Sequence, residues 1–193
     1  MPSHVHLILT PADSPGLALA MARAHRLYAG YVNARARQTG HLFQGRFGSV
    51  AMDADHLMVA ARYVALNPVR ARLVKRAQDW PHGGVGAHLA GRDDALVSVR
   101  PLLDRAPRFA DLLDGEPDSP SFASLRRNAL IGRPLGAPGF MEAIGRQLGR
   151  VVTPGKRAPK PKGGAKQRGE RVNEGVLPAT AVEAMVPMEI REG

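Results

Sequence analysis

Polar and apolar positions alternate at the start of the chain. His4, His6, Ile8 and Thr10 fall on one side of an extended segment, and Val5, Leu7 and Leu9 on the other. The pattern predicts a strand with an apolar underside, free to bury against helices, and two imidazoles on top. A loop follows, with Ser14 placed as an N-cap and Pro15 at the first helical position. Leu17, Ala20, Met21, Ala24, Leu27, Tyr28 and Tyr31 then recur at spacings of three and four, predicting an amphipathic helix to about Arg37 with Gly40 as its stop. Arg23, Arg26, Arg35 and Arg37 occupy its outer face, as solvated charge or as a row of phosphate contacts.

Residues 46–52 alternate again and read as a second strand, with Gln44 and Arg46 at its start. Arg46 is either a polar strand-end residue or a contact to DNA phosphate. Asp53 or Asp55 caps a helix from about His56 to Leu66, apolar on Leu57, Ala60, Ala61 and Val64. Pro68 breaks or kinks it after Asn67. A short basic segment carries Arg70, Arg72, Lys75 and Arg76, and a turn-rich break follows at 79–84. Helical stretches are expected at 99–103, 109–113, 122–131 and 140–148. From Thr153, Lys and Arg interleave with Pro and Gly without an apolar period, which predicts a disordered basic tail. The organisation is thus a first domain over 1–76, a helical region over 77–150 and a tail over 151–193.

Composition narrows the partners. A chain of 193 residues that is 44% hydrophobic builds one domain with a modest core. A net charge of +10 calls for a polyanion, nucleic acid first and an anionic membrane surface a distant second. The absence of cysteine excludes disulfides and thiolate metal sites, so any metal must take nitrogen and oxygen ligands. No apolar run reaches the roughly 18 residues of a membrane span, and no signal-peptide pattern opens the chain. A cytoplasmic protein without membrane contact is the simplest reading. Aromatic residues are only 5%, and no stacking strip is visible among the basic positions.

Candidate chemistry comes from two stretches. His4 and His6 on one strand face can converge on a divalent ion or a phosphate, although the pattern alone also fits two ordinary histidines. Tyr63 and Asn67, four apart, share one helix face. Imidazole nitrogen, an amide oxygen and a phenolic hydroxyl together suit metal-assisted phosphoryl transfer through a phosphotyrosine.

The stretches Met1-Pro2-Ser3-His4-Val5-His6-Leu7-Ile8-Leu9-Thr10-Pro11 and Tyr63-Val64-Ala65-Leu66-Asn67-Pro68-Val69-Arg70-Ala71 carry a resemblance. Gly40-His41-Leu42-Phe43-Gln44-Gly45-Arg46-Phe47 and Gly132-Arg133-Pro134-Leu135-Gly136 agree with it. Over residues 1 to about 162 the chain resembles the single-tyrosine HUH transposases of the IS200-like type, most of all their REP-associated tyrosine transposase branch. The resemblance implies an α+β fold. Its core would be a partial ferredoxin-like nuclease domain, an antiparallel sheet with helices on one face, followed by a helical region. It implies a DNA transposase, a single-strand nuclease and strand transferase, acting on hairpin-flanked single-stranded DNA, alone or as a homodimer. Tyr63 would be the nucleophile, and His4, His6 and Asn67 would hold Mg²⁺ or Mn²⁺. Arg35, Arg37, Arg46, Arg70 and Arg72 are the candidate DNA contacts.

In that family a strand and a helix precede the histidine strand, so the resemblance implies an N-terminally truncated chain with an exposed sheet edge. A Trp-Ser-Ser-like segment of the family is absent here beyond Trp80. Three alternatives stay open. The chain can be an inactive hairpin-DNA-binding remnant, a phosphoesterase using water with Tyr63 only structural, or a basic RNA-binding protein.

Overall fold

A computed structural model describes residues 4–13, 15–43, 45, 47–114, 120–152 and 183–189. Three strands and six helices are formed among them: β1 (His4–Leu9), α1 (Gly16–Ala36), β2 (Val50–Met52), α2 (Ala54–Arg70), α3 (Val85–Ala90), α4 (Arg100–Leu103), α5 (Pro120–Ile131), α6 (Pro138–Leu148) and β3 (Glu183–Glu189). Single 3₁₀ turns lie at Ala77–Asp79 and Phe109–Leu113. The class is mixed, helix-rich with few strands. None of the described helices is long and apolar enough to cross a membrane.

The sheet is antiparallel, in the order β1-β3-β2. The expected tail therefore does not stay disordered throughout, because Glu183–Glu189 is the central strand; residues 153–182 and 190–193 lie outside the described ones. Between two neighbours its backbone N–H and C=O groups find ladder partners. Its register sets His6 opposite Pro187, and Ile8 and Val50 both opposite Met185. Pairing with β2 ends at Met185, so Pro187 has a strand partner only on the β1 side, where its missing N–H interrupts no second ladder.

This register puts His6 and Ile8 on the same face as Val50 and Met52. Val50 and Met52 are 1% and 2% exposed, packed with Leu57 and Ala60 of α2 and Phe122 and Leu125 of α5. The expected orientation of β1 is therefore reversed. The histidine face is the one covered by helices, while Val5 on the opposite face is 38% exposed.

Asp53 starts α2. Its Oδ1 accepts from the His56 amide at 3.0 Å, and its backbone is extended, as an N-cap requires. The helix does not stop at Pro68 but runs to Arg70. Proline removes one hydrogen bond, to the carbonyl four residues back, and here that loss falls in the last turn. The Ala71 amide to Asn67 O and the Leu73 amide to Pro68 O, both 2.9 Å, close the ladder around it. Asn67 thereby sits inside a helix, 7% exposed.

Two apolar clusters flank α2. Leu57, Ala60 and Tyr63 join Phe122, Leu125 and Ala129. Ala65 and Leu66 join Ala77, Val85 and Phe109. Arg62 ties the 109–113 turn to the helix, donating to Leu112 O at 3.0 Å and Asp114 O at 2.7 Å. Both clusters draw on residues before and after position 76.

In α1 the apolar stripe is largely unburied. Met21 is buried, but Leu27, Tyr28 and Tyr31 are exposed. The helix ends at Ala36 with Arg37 in the left-handed conformation, φ 51°, and Asn33 Nδ2 donates to Gly40 O to hold the returning chain.

Candidate functional site

Tyr63 lies on the third turn of α2, on the side facing the sheet. Its ring meets the His6 ring edge-on, with centroids 5.2 Å apart, and the Phe122 ring edge-on at 5.3 Å. The Arg70 guanidinium sits over it, 4.6 Å from the centroid, and is 5.4 Å from the Phe122 centroid. Edge-to-face rings and a cation over a π face are both attractive, so the tyrosine ring is fixed from three sides. Tyr63 is only 5% exposed. Asn67 follows one turn later on the same helix face.

Two motifs more than fifty residues apart in sequence are thus brought together: His6 of the histidine strand, and Tyr63 with Arg70 of the helix. Of the other candidates, His4 is placed on β1 two residues from His6. Arg72 lies beyond α2, exposed and left-handed with φ 58°. Arg35 belongs to α1, where its Nη1 donates to Tyr31 Oη at 3.1 Å and its guanidinium stands 5.5 Å from that ring's centroid. Arg37 caps the same helix and is exposed. Arg46 lies outside the described residues.

Some participants were not singled out from the sequence. Phe122 belongs to a visible helical stripe with Leu125 and Ala129, but periodicity tells that a face is buried and not what it meets. Asp53 is legible as a cap. Its second role, with Oδ2 accepting from the Ala137 amide at 2.7 Å, is not. The Asp53 amide donates to Leu135 O and the Leu135 amide to Ala51 O, so the 135–137 segment is laced between β2 and the start of α2. A side chain at Gly136 would run into the Phe140 ring and Asp53 Oδ2. Burial works to raise the Asp53 carboxyl, but hydrogen bonds from the His56 and Ala137 amides and from the His56 ring outweigh it and hold it below the ordinary carboxylate value. The pairing of His56 Nδ1 with Asp53 Oδ1 is 2.6 Å. His88, by contrast, serves packing: its Nδ1 is 2.7 Å from Gly84 O and its ring stacks on Phe109.

Among the described residues no group of three or more His, Asp or Glu could hold a metal ion. A cation here would rest on two imidazoles and the amide oxygen of Asn67. That donor set is chemically apt for a hard or borderline divalent ion. Of these residues, His6 meets Tyr63 ring to ring, and Asn67 lies one turn after that tyrosine on the same helix.

No protein-family model, curated protein or solved structure matches this chain.

Proposed function

We propose that the chain is a single-strand DNA nuclease and strand transferase of the tyrosine transposase type, with Tyr63 as nucleophile. A single observation carries the reading: folding sets the Tyr63 ring against His6 and under Arg70. The sequence resemblance and the net charge of +10 support it, and a ferredoxin-like topology belongs to the same proposal. His4, His6 and Asn67 are the residues that would hold Mg²⁺ or Mn²⁺. When bound, the ion supplies Lewis-acid polarisation of the scissile phosphate.

In the proposed step the Tyr63 Oη attacks phosphorus. The P–O bond to the 3′ oxygen breaks, and the phenolic proton passes to that oxygen. The products are a 5′-phosphotyrosine and a free 3′-hydroxyl. One phosphoester replaces another, so rejoining needs no nucleotide triphosphate. Arg70 offsets charge on the phosphate and holds the ring.

A second reading is a hairpin-DNA-binding remnant without chemistry. The burial of Tyr63, 5% exposed, favours it, since a nucleophile must reach its phosphate. A denaturing-gel assay separates the two. Full-length protein is mixed with labelled single-stranded hairpin DNA and Mn²⁺ or Mg²⁺, beside Tyr63→Phe, which keeps the ring and removes only the hydroxyl. The expected outcome is a covalent band that needs the metal and is absent from the variant. A band that persists in Tyr63→Phe overturns the assignment of the nucleophile. DNA retention without any band establishes the remnant.

A further inference from the structure

A second cluster of rings forms where α1 meets Phe43 and Phe47. The His25 ring stacks on Phe43 with centroids 4.3 Å apart and stands edge-on to Phe47 at 6.4 Å; Tyr28 lies 6.2 Å from Phe43. One turn on, Tyr31 is bracketed by Arg35. Where the sequence alone shows no stacking strip among the basic positions, Tyr28, Tyr31 and Arg35 follow at intervals of three and four on one flank of the helix. That flank is open: Tyr28 is 46% and Tyr31 58% exposed. Around the helix Leu19, Ala22, Arg23, Arg26 and Leu27 line a shallow groove. Charge is one-sided as well. Residues 14–52 contain no Asp or Glu, while α1 and its cap carry Arg23, Arg26, Arg35 and Arg37.

From this geometry we infer that α1, with Phe43 and Phe47 beside it, forms a base-stacking platform for single-stranded DNA, separate from the Tyr63 cluster. Exposed tyrosine rings set among arginines fit a strand whose bases are unpaired and whose backbone is anionic. A protein partner docking on this flank would have to meet four arginines with no acid between them. Duplex DNA offers phosphates but no base faces, so the platform discriminates against it. The inference rests on the proposed function only for the choice of DNA over other single strands.

The test uses the full chain, fluorescent oligo-dT and a duplex of equal length, read by anisotropy across salt concentrations. Tyr28→Ala/Tyr31→Ala is expected to weaken oligo-dT binding by about tenfold or more, the scale of one lost stacking base, and to leave duplex binding and the salt slope unchanged. Tyr28→Phe/Tyr31→Phe should bind within about twofold of wild type, because stacking needs the ring and not the hydroxyl. Arg23→Gln/Arg26→Gln should reduce the salt slope by about one per arginine. On wild-type protein, photocrosslinking to a bromodeoxyuridine oligonucleotide should label peptides within 23–47. Unchanged oligo-dT affinity in the alanine pair, or crosslinks confined elsewhere, would sink the inference. So would a DNA-free dimer that the alanine pair converts to monomer, which would make the face a self-association surface. The covalent-adduct assay on wild-type protein keeps the two readings apart: absence of an adduct with intact Tyr28- and Tyr31-dependent binding would fell the catalytic reading alone.

Discussion

Asp53 caps the start of α2, and Tyr63 lies on the third turn of the same helix. One residue fixes where the helix begins and the other what it presents to the sheet. Asp53 is held below the ordinary carboxylate value by hydrogen bonds that outweigh its burial. A carboxyl with a lowered folded pKa stabilises above its unfolded value, about 3.9, and that stability is lost as pH falls through the folded value. Asp53→Ala should therefore cost about 1–2 kcal/mol near pH 7, the scale of a lost cap, and less below about pH 4. Urea unfolding of both proteins at pH 7 and pH 3 measures the gap; a gap that widens at pH 3 refutes the charge argument. An acidic cap was readable ahead of the apolar period, but the choice between Asp53 and Asp55 was not; the structure makes it Asp53. The Ala137 amide, eighty-four residues away in sequence, was not readable either, since no local pattern announces which loop returns to a cap.

At the scale of elements, α1 and β3 depart most from what periodicity implies. The stripe Leu17 to Tyr31 reads as a core face, yet Leu27 and Tyr31 remain 60% and 58% exposed. Spacing tells that residues share a face, and only a neighbouring element decides whether the face is covered. The converse holds for β3, which local sequence gave no reason to place in a sheet. Strands β1 and β2 pair with β3 and not with each other. A chain ending at Val152 should consequently lose hydrogen-exchange protection at 4–9 and 50–52, while the amides in the middle of α2 stay protected. Equal protection in both proteins would show that the sheet does not need Glu183–Glu189.

For the molecule as a whole, α2 is the shared wall of both apolar clusters. Phe122 and Leu125, each 1% exposed, complete one; Phe109, 4% exposed, and Val85 complete the other. A fragment covering 1–76 keeps α2 and loses what packs on both its sides. It should show no cooperative thermal transition, whereas the full chain should show one. Calorimetry decides, and a sharp transition in the fragment would mean that the first segment is a domain by itself. The division of the sequence at position 76 follows composition and turn signals; packing runs across it.

The sequence by itself determined several local elements, β3 not among them, and the chemical inventory. Alternation set β1, the three-and-four period set α1 and α2, and an acidic cap, Asp53 or Asp55, stood ahead of α2, because these depend on neighbours along the chain. It also determined the basic charge and the absence of thiolate chemistry. The tertiary structure decided the rest. It turned the histidine face of β1 toward the helices, since Ile8, Val50 and Met52 share that face and must be buried. It carried α2 past Pro68, set the Tyr63 ring between His6, Phe122 and Arg70, and left the rings of α1 in the open. Each of these depends on contacts between residues far apart in sequence, which are fixed by how whole faces pack and not by the order of residues within any one of them.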